Sequence, residues 1–169
     1  QLVKIKDACS NSRDLALIEI LSSTGIRVGE LVGLNKGDVD FNERSCIVLG
    51  KGNKQREVYF DAKTKIHLDE YLKSRKDDCE ALFVSYNEPN QRLTISGIEY
   101  IVKKIGLKCG IKNVHPHKFR RTLATYAIDK GMPIEQVQKL LGHVKIDTTM
   151  HYAIVNQNNV KISHRRYIS

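Results

Sequence analysis

One β-hairpin signal stands in a chain whose other apolar residues recur mainly at helical spacing. Residues 46–49 and 57–60 are short apolar runs, rich in β-branched and aromatic side chains, and the polar loop 50–56 separates them. This pattern predicts two antiparallel strands. Residues 82–84 are a candidate third strand. With helical periodicity elsewhere, the sequence predicts a mainly α (α+β) fold with one small antiparallel sheet.

Capping residues give the predicted helices their limits. Asn11-Ser12 offers a cap for a buried helix through residues 15–21, and Asp61 can cap the helix that follows the hairpin. Ser96 and Glu99 fit a capping box for a later helix. Towards the C-terminus, proline and glycine residues predict where two more helices begin and end. They are Pro116, Gly131, Pro133 and Gly142.

Composition limits the class of protein. The chain has 169 residues, of which 41% are apolar and none is Trp, so we expect one domain with an aliphatic core. No run approaches the roughly 20 apolar residues that span a bilayer. The four cysteines are widely spaced and form no Cys-x-x-Cys pair, which disfavours a zinc site and indicates reduced thiols in a cytoplasmic protein. They are Cys9, Cys46, Cys79 and Cys109.

The charge balance suggests a polyanionic partner. There are 28 Lys and Arg residues against 19 Asp and Glu, a formal net charge of +9. Nucleic acid is the commonest partner of such a chain. An anionic membrane surface is an alternative that we rank lower, because no segment combines a broad apolar face with a continuous basic one.

Two histidine motifs carry candidate chemistry. His117 and Arg120 lie three residues apart on a predicted helix, so they share a face that suits a phosphate, or they form an ordinary solvated basic face. His143 follows Gly142 and precedes Tyr152 by nine residues. A histidine after a helix end is more often a capping or surface residue than a functional one. A zinc site at these histidines is disfavoured because no acidic residue stands at ligand spacing.

Basic residues in the N-terminal half are further candidates. Arg27 begins a helix after a Gly turn, where it opposes the helix dipole unless an anion binds there or Glu30 pairs with it. The hairpin carries Lys51, Lys54 and Arg56, which form either a soluble turn or a basic finger that reaches DNA.

Taken in order, these motifs resemble the catalytic domain of the tyrosine recombinases, the phage and transposon integrase family. The resemblance runs from Thr24 to Tyr152. It implies the helical catalytic fold of that family and assigns six catalytic residues. They are Arg27, Lys51, His117, Arg120, His143 and Tyr152.

The resemblance also implies a reaction. Tyr152 would cleave one DNA strand and form a 3′-phosphotyrosyl bond, and Lys51 would protonate the departing 5′ oxygen. The arginines and histidines would stabilise the phosphate in the transition state, so no metal or other cofactor is implied. The competing tyrosines are Tyr126, which we expect to be a packing residue on the Phe119–Leu123 side of its helix, and Tyr167. Further DNA contacts are expected at Lys54, Arg56, Lys118 and Arg121.

Domain organisation and assembly follow from the same resemblance. We expect residues 1–152 to form the catalytic domain and residues 153–169 a C-terminal tail, either docked on a neighbouring protomer or folded on its own domain. The chain begins at Gln1 without an initiator Met, and we expect a fragment that lacks the family's N-terminal core-binding domain. The expected partner is double-stranded DNA, bound by a synaptic homotetramer of the full-length protein, with this fragment alone a monomer.

The expected function is site-specific recombination, in the service of integration or excision of a mobile element. The nearest alternative is DNA relaxation by a type IB topoisomerase-like enzyme. A non-catalytic basic DNA-binding module is another. An RNA-binding protein is disfavoured because aromatic residues, at 7%, are too scarce for a stacking platform.

Overall fold

The computed structural model describes residues 1–152 and 157–168. In these residues α-helices dominate, and one small sheet lies between the third and fourth of them. The helices are α1 Leu2–Asp7, α2 Ser12–Thr24, α3 Val28–Gly33, α4 Ala62–Ser74, α5 Ile95–Lys108, α6 Pro116–Asp129, α7 Ile134–Leu141, α8 Ile146–Met150 and α9 Gln157–Tyr167. The predicted mainly α fold is therefore confirmed.

The sheet contains the predicted hairpin and one strand that the sequence analysis did not predict. Strands β2 (Ser45–Leu49) and β3 (Gln55–Tyr59) are antiparallel, with Val48 opposite Arg56. The third strand is β1 (Val39–Asp40), paired with β2. The prediction of a strand at residues 82–84 was wrong: the Leu82 amide donates to the Leu34 carbonyl and the Phe83 carbonyl accepts from the Leu93 amide, so this backbone pairs outside the sheet, in isolated bridges.

The main core surrounds α2. This helix is buried on several sides because α4 and α6 both pack against it, which explains its dense apolar run. Its fully buried aliphatic residues are Leu17, Ile18, Ile20 and Leu21. A second, smaller cluster joins α6 to α7 through Ala124, Ala127, Val137 and Leu141, and Tyr152 packs against it.

The helix ends follow the predicted caps at two of three positions. The side chain of Asn11 accepts a hydrogen bond from the Asp14 amide at 2.8 Å, and Asp61 caps α4 in the same way. The capping box at Ser96 was wrong. Thr94 caps α5 instead, because its extended backbone lets its hydroxyl accept from the Gly97 amide at 3.1 Å.

Two features near the C-terminal half differ from expectation. Tyr126 is 60% exposed and lines an apolar cavity of about 470 Å³ with Phe119 and Leu123, so it is not a core residue. Helix α9 was not predicted, since its sequence has few apolar residues at helical spacing. The tail residues 153–156 and 169 lie outside the described residues.

Within residues 1–152 and 157–168, no helix combines the length and the apolar character that crossing a membrane requires.

Candidate active site

Three arginines converge on the end of α7. Gly142 ends this helix in the left-handed conformation, with φ of 63°. Arg56 donates to the Leu140 carbonyl at 2.6 Å, Arg120 donates to the Leu141 carbonyl, and Arg27 donates to the Gly142 carbonyl at 3.0 Å. The last carbonyls of a helix lack intrahelical partners and carry partial negative charge, so they attract cations. We call Leu140, Leu141 and Gly142 the Gly142 turn.

A buried carboxylate joins two of these arginines. The Glu30 side chain is only 4% exposed, and its Oε2 lies 2.7 Å from Arg56 Nη2. Its Oε1 lies 3.1 Å from Arg27 Nη1, and Oε2 also accepts the Arg27 backbone amide at 2.9 Å. Burial alone would raise the pKa of Glu30, but the hydrogen bonds from Arg56 and Arg27 hold it below its ordinary value. Glu30 is therefore ionised and fixes Arg27 at the start of α3.

Arg120 is the most deeply placed of the three. It is 3% exposed and also donates from Nη1 to the Gly25 carbonyl at 2.7 Å. Burial, with the charges of Arg27 and Arg56, lowers its pKa to about 10, so it stays protonated at neutral pH. Arginine has five N–H donors in a planar fork, and the bonds seen in the described part of the chain leave donors for an anion.

His117 lies on the same helix as Arg120, three residues earlier. It is exposed, and partial burial together with the charge of Arg120 lowers its pKa. With Lys118 and Arg121 it lines an open groove of about 620 Å³. Of the expected pair, His117 therefore lines a groove with two basic neighbours, whereas Arg120 is buried and is not among the residues that line it.

His143 and Tyr152 stand beside this cluster. Their ring centroids are 6.3 Å apart, and the Nδ1 atom of His143 lies 2.8 Å from the hydroxyl of the buried Thr149. Burial, and then the charges of Arg120 and Arg27, lower the pKa of His143 to about 4. The imidazole is therefore neutral at neutral pH, with one ring nitrogen held by Thr149.

The hairpin exposes Lys51 and Lys54 to solvent but directs Arg56 towards Glu30. Lys51 and Lys54 are exposed around a short 3-10 turn, Lys51–Asn53. In the described residues no hydrogen bond joins Lys51 to the arginines. The preceding Gly50 lies beside Glu30: a Cβ added there would be 3.5 Å from Glu30 Oε1. The structure does not support Arg56 as a surface DNA contact, because its side chain is 14% exposed and bonded to Glu30.

The structure thus brings together Arg27, Arg120, His117, His143 and Tyr152, and places Lys51 on the adjoining hairpin. Sequence reasoning missed two polar residues that hold them. Glu30 was considered only as an alternative partner of Arg27, and Thr149 was not considered as a partner of His143. The signals available were the i, i+3 spacing of Arg27 and Glu30, and a Thr six residues after His143.

The cluster has the charge to bind a phosphate. Among the residues that the structure describes, three guanidinium groups bond to the Gly142 turn and one carboxylate pairs with two of them, which leaves a net charge of +2 in this cluster. Neutral imidazoles add hydrogen bonds without adding charge. Such an arrangement can hold a phosphodiester and stabilise additional negative charge on it.

The chain is similar in sequence and in fold to known recombinases. The profile of the phage integrase family matches residues 1–159. A tyrosine recombinase XerC of Staphylococcus aureus is 38% identical over 159 residues, which cover 92% of this chain and 53% of that protein. The crystal structure of XerA recombinase superposes with a TM-score of 0.84 at 34% identity, covering 99% of this chain and 63% of that one.

A further solved structure shares the fold at lower identity. XerH site-specific recombinase bound to difH substrate has a TM-score of 0.79 at 23% identity, over 99% of this chain and 52% of that one. The chain spans about half the length of the curated relatives that it matches. From the family match and the identity to XerC, the chain belongs to the phage integrase family.

Proposed function

We propose that this chain is the catalytic part of a site-specific tyrosine recombinase, which cleaves and rejoins double-stranded DNA through a 3′-phosphotyrosyl intermediate. The observation that carries the proposal is the convergence of Arg27, Arg120 and His143 on the Gly142 turn, beside the ring of Tyr152. A phosphodiester carries one negative charge, and its pentacoordinate transition state carries two. The two unbalanced positive charges of the cluster match the transition state better than the ground state.

Each step of cleavage has a residue in this scheme. The oxygen of Tyr152 attacks the phosphorus and the bond to the 5′ oxygen breaks, leaving a 3′-phosphotyrosyl bond and a free 5′ hydroxyl. Arg27 and Arg120 neutralise the non-bridging oxygens, while His117 and His143 donate hydrogen bonds and assist the proton leaving Tyr152. Lys51 protonates the departing 5′ oxygen. Because a phosphodiester bond replaces another, rejoining needs no ATP.

Double-stranded DNA is the proposed partner. The net charge of +9 and the exposed Lys51, Lys54 and Arg121 supply a basic surface around the site. The related XerH structure is described as bound to difH substrate, and a Tn1549 transposon integrase as in complex with transposon right end DNA. For the whole protein we propose action in the cytoplasm, in a synaptic homotetramer on DNA, with integration or excision of a mobile element as the biological task.

A trapping experiment tests the activity. The chain is incubated with a pool of nicked duplexes of random core sequence, in which the released 5′ fragment diffuses away and prevents rejoining. We expect a denaturation-resistant protein–DNA adduct that Tyr152→Phe abolishes, with DNA affinity within about twofold of wild type. A persisting adduct in Tyr152→Phe would reassign the nucleophile, with Tyr126 and Tyr167 as candidates. If the wild-type chain forms no adduct, the alternative of a non-catalytic DNA-binding module would be favoured.

The trapped duplex also separates recombination from relaxation. With two selected duplexes of different length, a recombinase yields exchanged products. A topoisomerase-like enzyme would relax a supercoiled plasmid that lacks the selected sequence and would exchange nothing.

We further propose that residues 1–152 are the catalytic unit and that the tail from residue 153 docks on a neighbouring protomer. Helix α9 exposes the apolar side chains of Val160, Ile162 and Tyr167. Burying them against another surface would lower the free energy. Without DNA we expect a monomer in analytical ultracentrifugation. Truncation after Tyr152 should leave the monomer folded but impair exchange between two sites in the full-length protein. Unimpaired exchange by the truncated form would contradict docking on a neighbour.

A further inference from the structure

We propose that Arg56, on strand β3, is a positioning residue for DNA cleavage: it holds the hairpin, Arg27 and the Gly142 turn in one arrangement. This inference rests on the function proposed above. It replaces the expectation that Arg56 contacts DNA.

Each of the three guanidinium nitrogens of Arg56 donates a hydrogen bond inside the protein. Nε lies 3.2 Å from Glu30 Oε1 and Nη2 lies 2.7 Å from Glu30 Oε2, a bidentate pair with the carboxylate. Nη1 donates to the Leu140 carbonyl at 2.6 Å. A bidentate arginine–carboxylate pair fixes orientation as well as distance. Arg56 therefore links α3 and the Gly142 turn through bonds of defined direction.

Each partner of Arg56 adjoins a residue of the proposed chemistry. Glu30 holds both the backbone amide and the guanidinium of Arg27. Leu140 belongs to the turn that also receives Arg27 and that His143 follows directly. A Cβ added at Gly142 would lie 2.7 Å from Arg56 Cδ and Nε, so the turn and the guanidinium are in close contact.

Arg56 also belongs to the strand that carries the general-acid hairpin. It pairs with Val48 on β2, and the loop between these strands bears Lys51. The Gly50 amide donates to the Lys54 carbonyl at 2.8 Å, which closes the loop just before Arg56. One guanidinium thus connects the elements that present Lys51, Arg27 and His143 to a single phosphate.

Substitution should act on the rate of cleavage and leave DNA affinity almost unchanged. In Arg56→Met the Glu30 carboxylate keeps only Arg27, and the hairpin loses its bond to the turn. Misplacement by about 1 Å can cost about 100-fold in rate, and we expect a loss of that order in single-turnover cleavage of the duplex selected by trapping. Arg56→Lys keeps the charge without the fork and should recover only part of the rate.

Loss of folding is controlled in two ways. In Arg56→Met with Glu30→Gln the unpaired buried carboxylate is gone, which should restore the melting temperature but not the rate. Arg75→Met is the matched control, since Arg75 is likewise largely enclosed (5% exposed, against 14% for Arg56), pairs with Asp77 and bonds to the Cys79 and Ala81 carbonyls away from the site. It should melt earlier yet cleave at the wild-type rate.

A charge-altered substrate tests the route through Arg27. When a methyl group replaces one non-bridging oxygen of the scissile phosphate, the transition state carries less charge for Arg27 to balance. Arg27→Ala and Arg56→Met should both lose much less on this substrate than on the ordinary phosphate. Wild-type cleavage by Arg56→Met, or a loss identical on both substrates, would overturn the inference.

A measurement without DNA keeps this inference separate from the proposed activity. In wild type the guanidinium NMR signals of Arg27 should show restricted rotation, because Glu30 and the Gly142 carbonyl hold it. Arg56→Met leaves both partners of Arg27 present but frees Glu30 and the Gly142 turn to shift, so the Arg27 signals should show less restricted rotation than in wild type, whereas Arg75→Met should not change them. If the wild type forms no adduct, the proposed function fails. Independently of that result, Arg27 signals that are as restricted in Arg56→Met as in wild type would overturn the positioning role.

Discussion

Arg27 and Arg120 each bond to a main-chain carbonyl of the Gly142 turn while retaining donors for an anion. Arg27 keeps 41% of its side chain exposed, whereas Arg120 is almost wholly buried. The fold thus fixes the two guanidinium groups before any phosphate arrives. In the proposed reaction, such preorganisation would avoid reordering the charges as the transition state forms, which is the main source of electrostatic catalysis.

The hydroxyl of Thr149 should orient His143. Thr149→Val keeps the shape of the side chain but leaves the Nδ1 atom of His143 without its 2.8 Å partner. One neutral hydrogen bond contributes about 1 kcal/mol, and we expect single-turnover cleavage to fall roughly 5- to 10-fold. Thr149→Ser, which keeps the hydroxyl, should cleave faster than Thr149→Val. Equal rates in the two variants would show that the hydroxyl does not act.

His143 should make the folded state sensitive to acid. The unfolded imidazole binds a proton near its ordinary pKa of 6.5, whereas the folded one does so only near about 4. Between these values the unfolded state binds more protons, so stability decreases as pH falls through this window. The melting temperature should drop from pH 7 to pH 5, and less steeply in His143→Gln. Because the pKa of His117 is also lowered, part of the dependence of melting temperature on pH should remain in His143→Gln. A dependence identical to that of wild type would contradict the depressed pKa of His143.

At the scale of elements, the Gly142 turn is where α3, β3, α6 and α7 meet. Each contributes one member of the arginine cluster or the carbonyl it binds. Gly25, at the end of α2, plays a similar part: its φ is 61°, and its carbonyl accepts from Arg120. Helix ends, more than helix faces, therefore build the site.

Two glycines allow the tightness of this turn to be measured. Gly131 has φ of 91° with nothing within 4 Å of an added Cβ, so Gly131→Ala should cost only the backbone term of about 1–2 kcal/mol. Gly142→Ala has a similar backbone cost, and its Cβ would also lie 2.7 Å from Arg56. In urea denaturation we expect Gly142→Ala to lose more unfolding free energy than Gly131→Ala. Only Gly142→Ala should also cleave DNA more slowly than wild type. Equal losses of unfolding free energy in the two variants would show that the Arg56 side chain can move away from the added Cβ without cost.

At the scale of the whole molecule, a net charge of +9 surrounds a cluster that is itself positive. The basic residues Lys51 and Lys54 of the hairpin and Arg121 of α6 are exposed and are not part of the core. Their contribution to DNA binding should be electrostatic and independent of sequence.

Salt dependence measures that contribution. The logarithm of the DNA association constant should fall linearly with the logarithm of salt concentration. Lys54→Ala or Arg121→Ala should each reduce the slope by about 1, as expected when one phosphate contact is lost. Arg56→Met should leave the slope unchanged, because that guanidinium is bonded inside the protein. Tight binding that is insensitive to salt would contradict an electrostatic interface.

Local signals in the sequence determined most of the elements. The hairpin, the caps at Asn11 and Asp61, and the glycine at the end of α7 follow from side chains and their immediate neighbours. The candidate residues also stand in a recognisable order along the chain. Where equivalent local signals competed, as with Thr94 and Ser96, the sequence did not choose correctly.

Only the tertiary structure decided which charges face each other. Glu30 and Arg56 are 26 residues apart, and Arg56 and Leu140 are 84 apart. Periodicity reports which face of an element is apolar, but it does not report what lies opposite a polar side chain. For this reason Arg56 resembled a DNA contact in the sequence and became a buried link in the fold. Whether Tyr126 packed or stayed exposed was likewise settled by the neighbouring elements, because burial depends on what covers a residue.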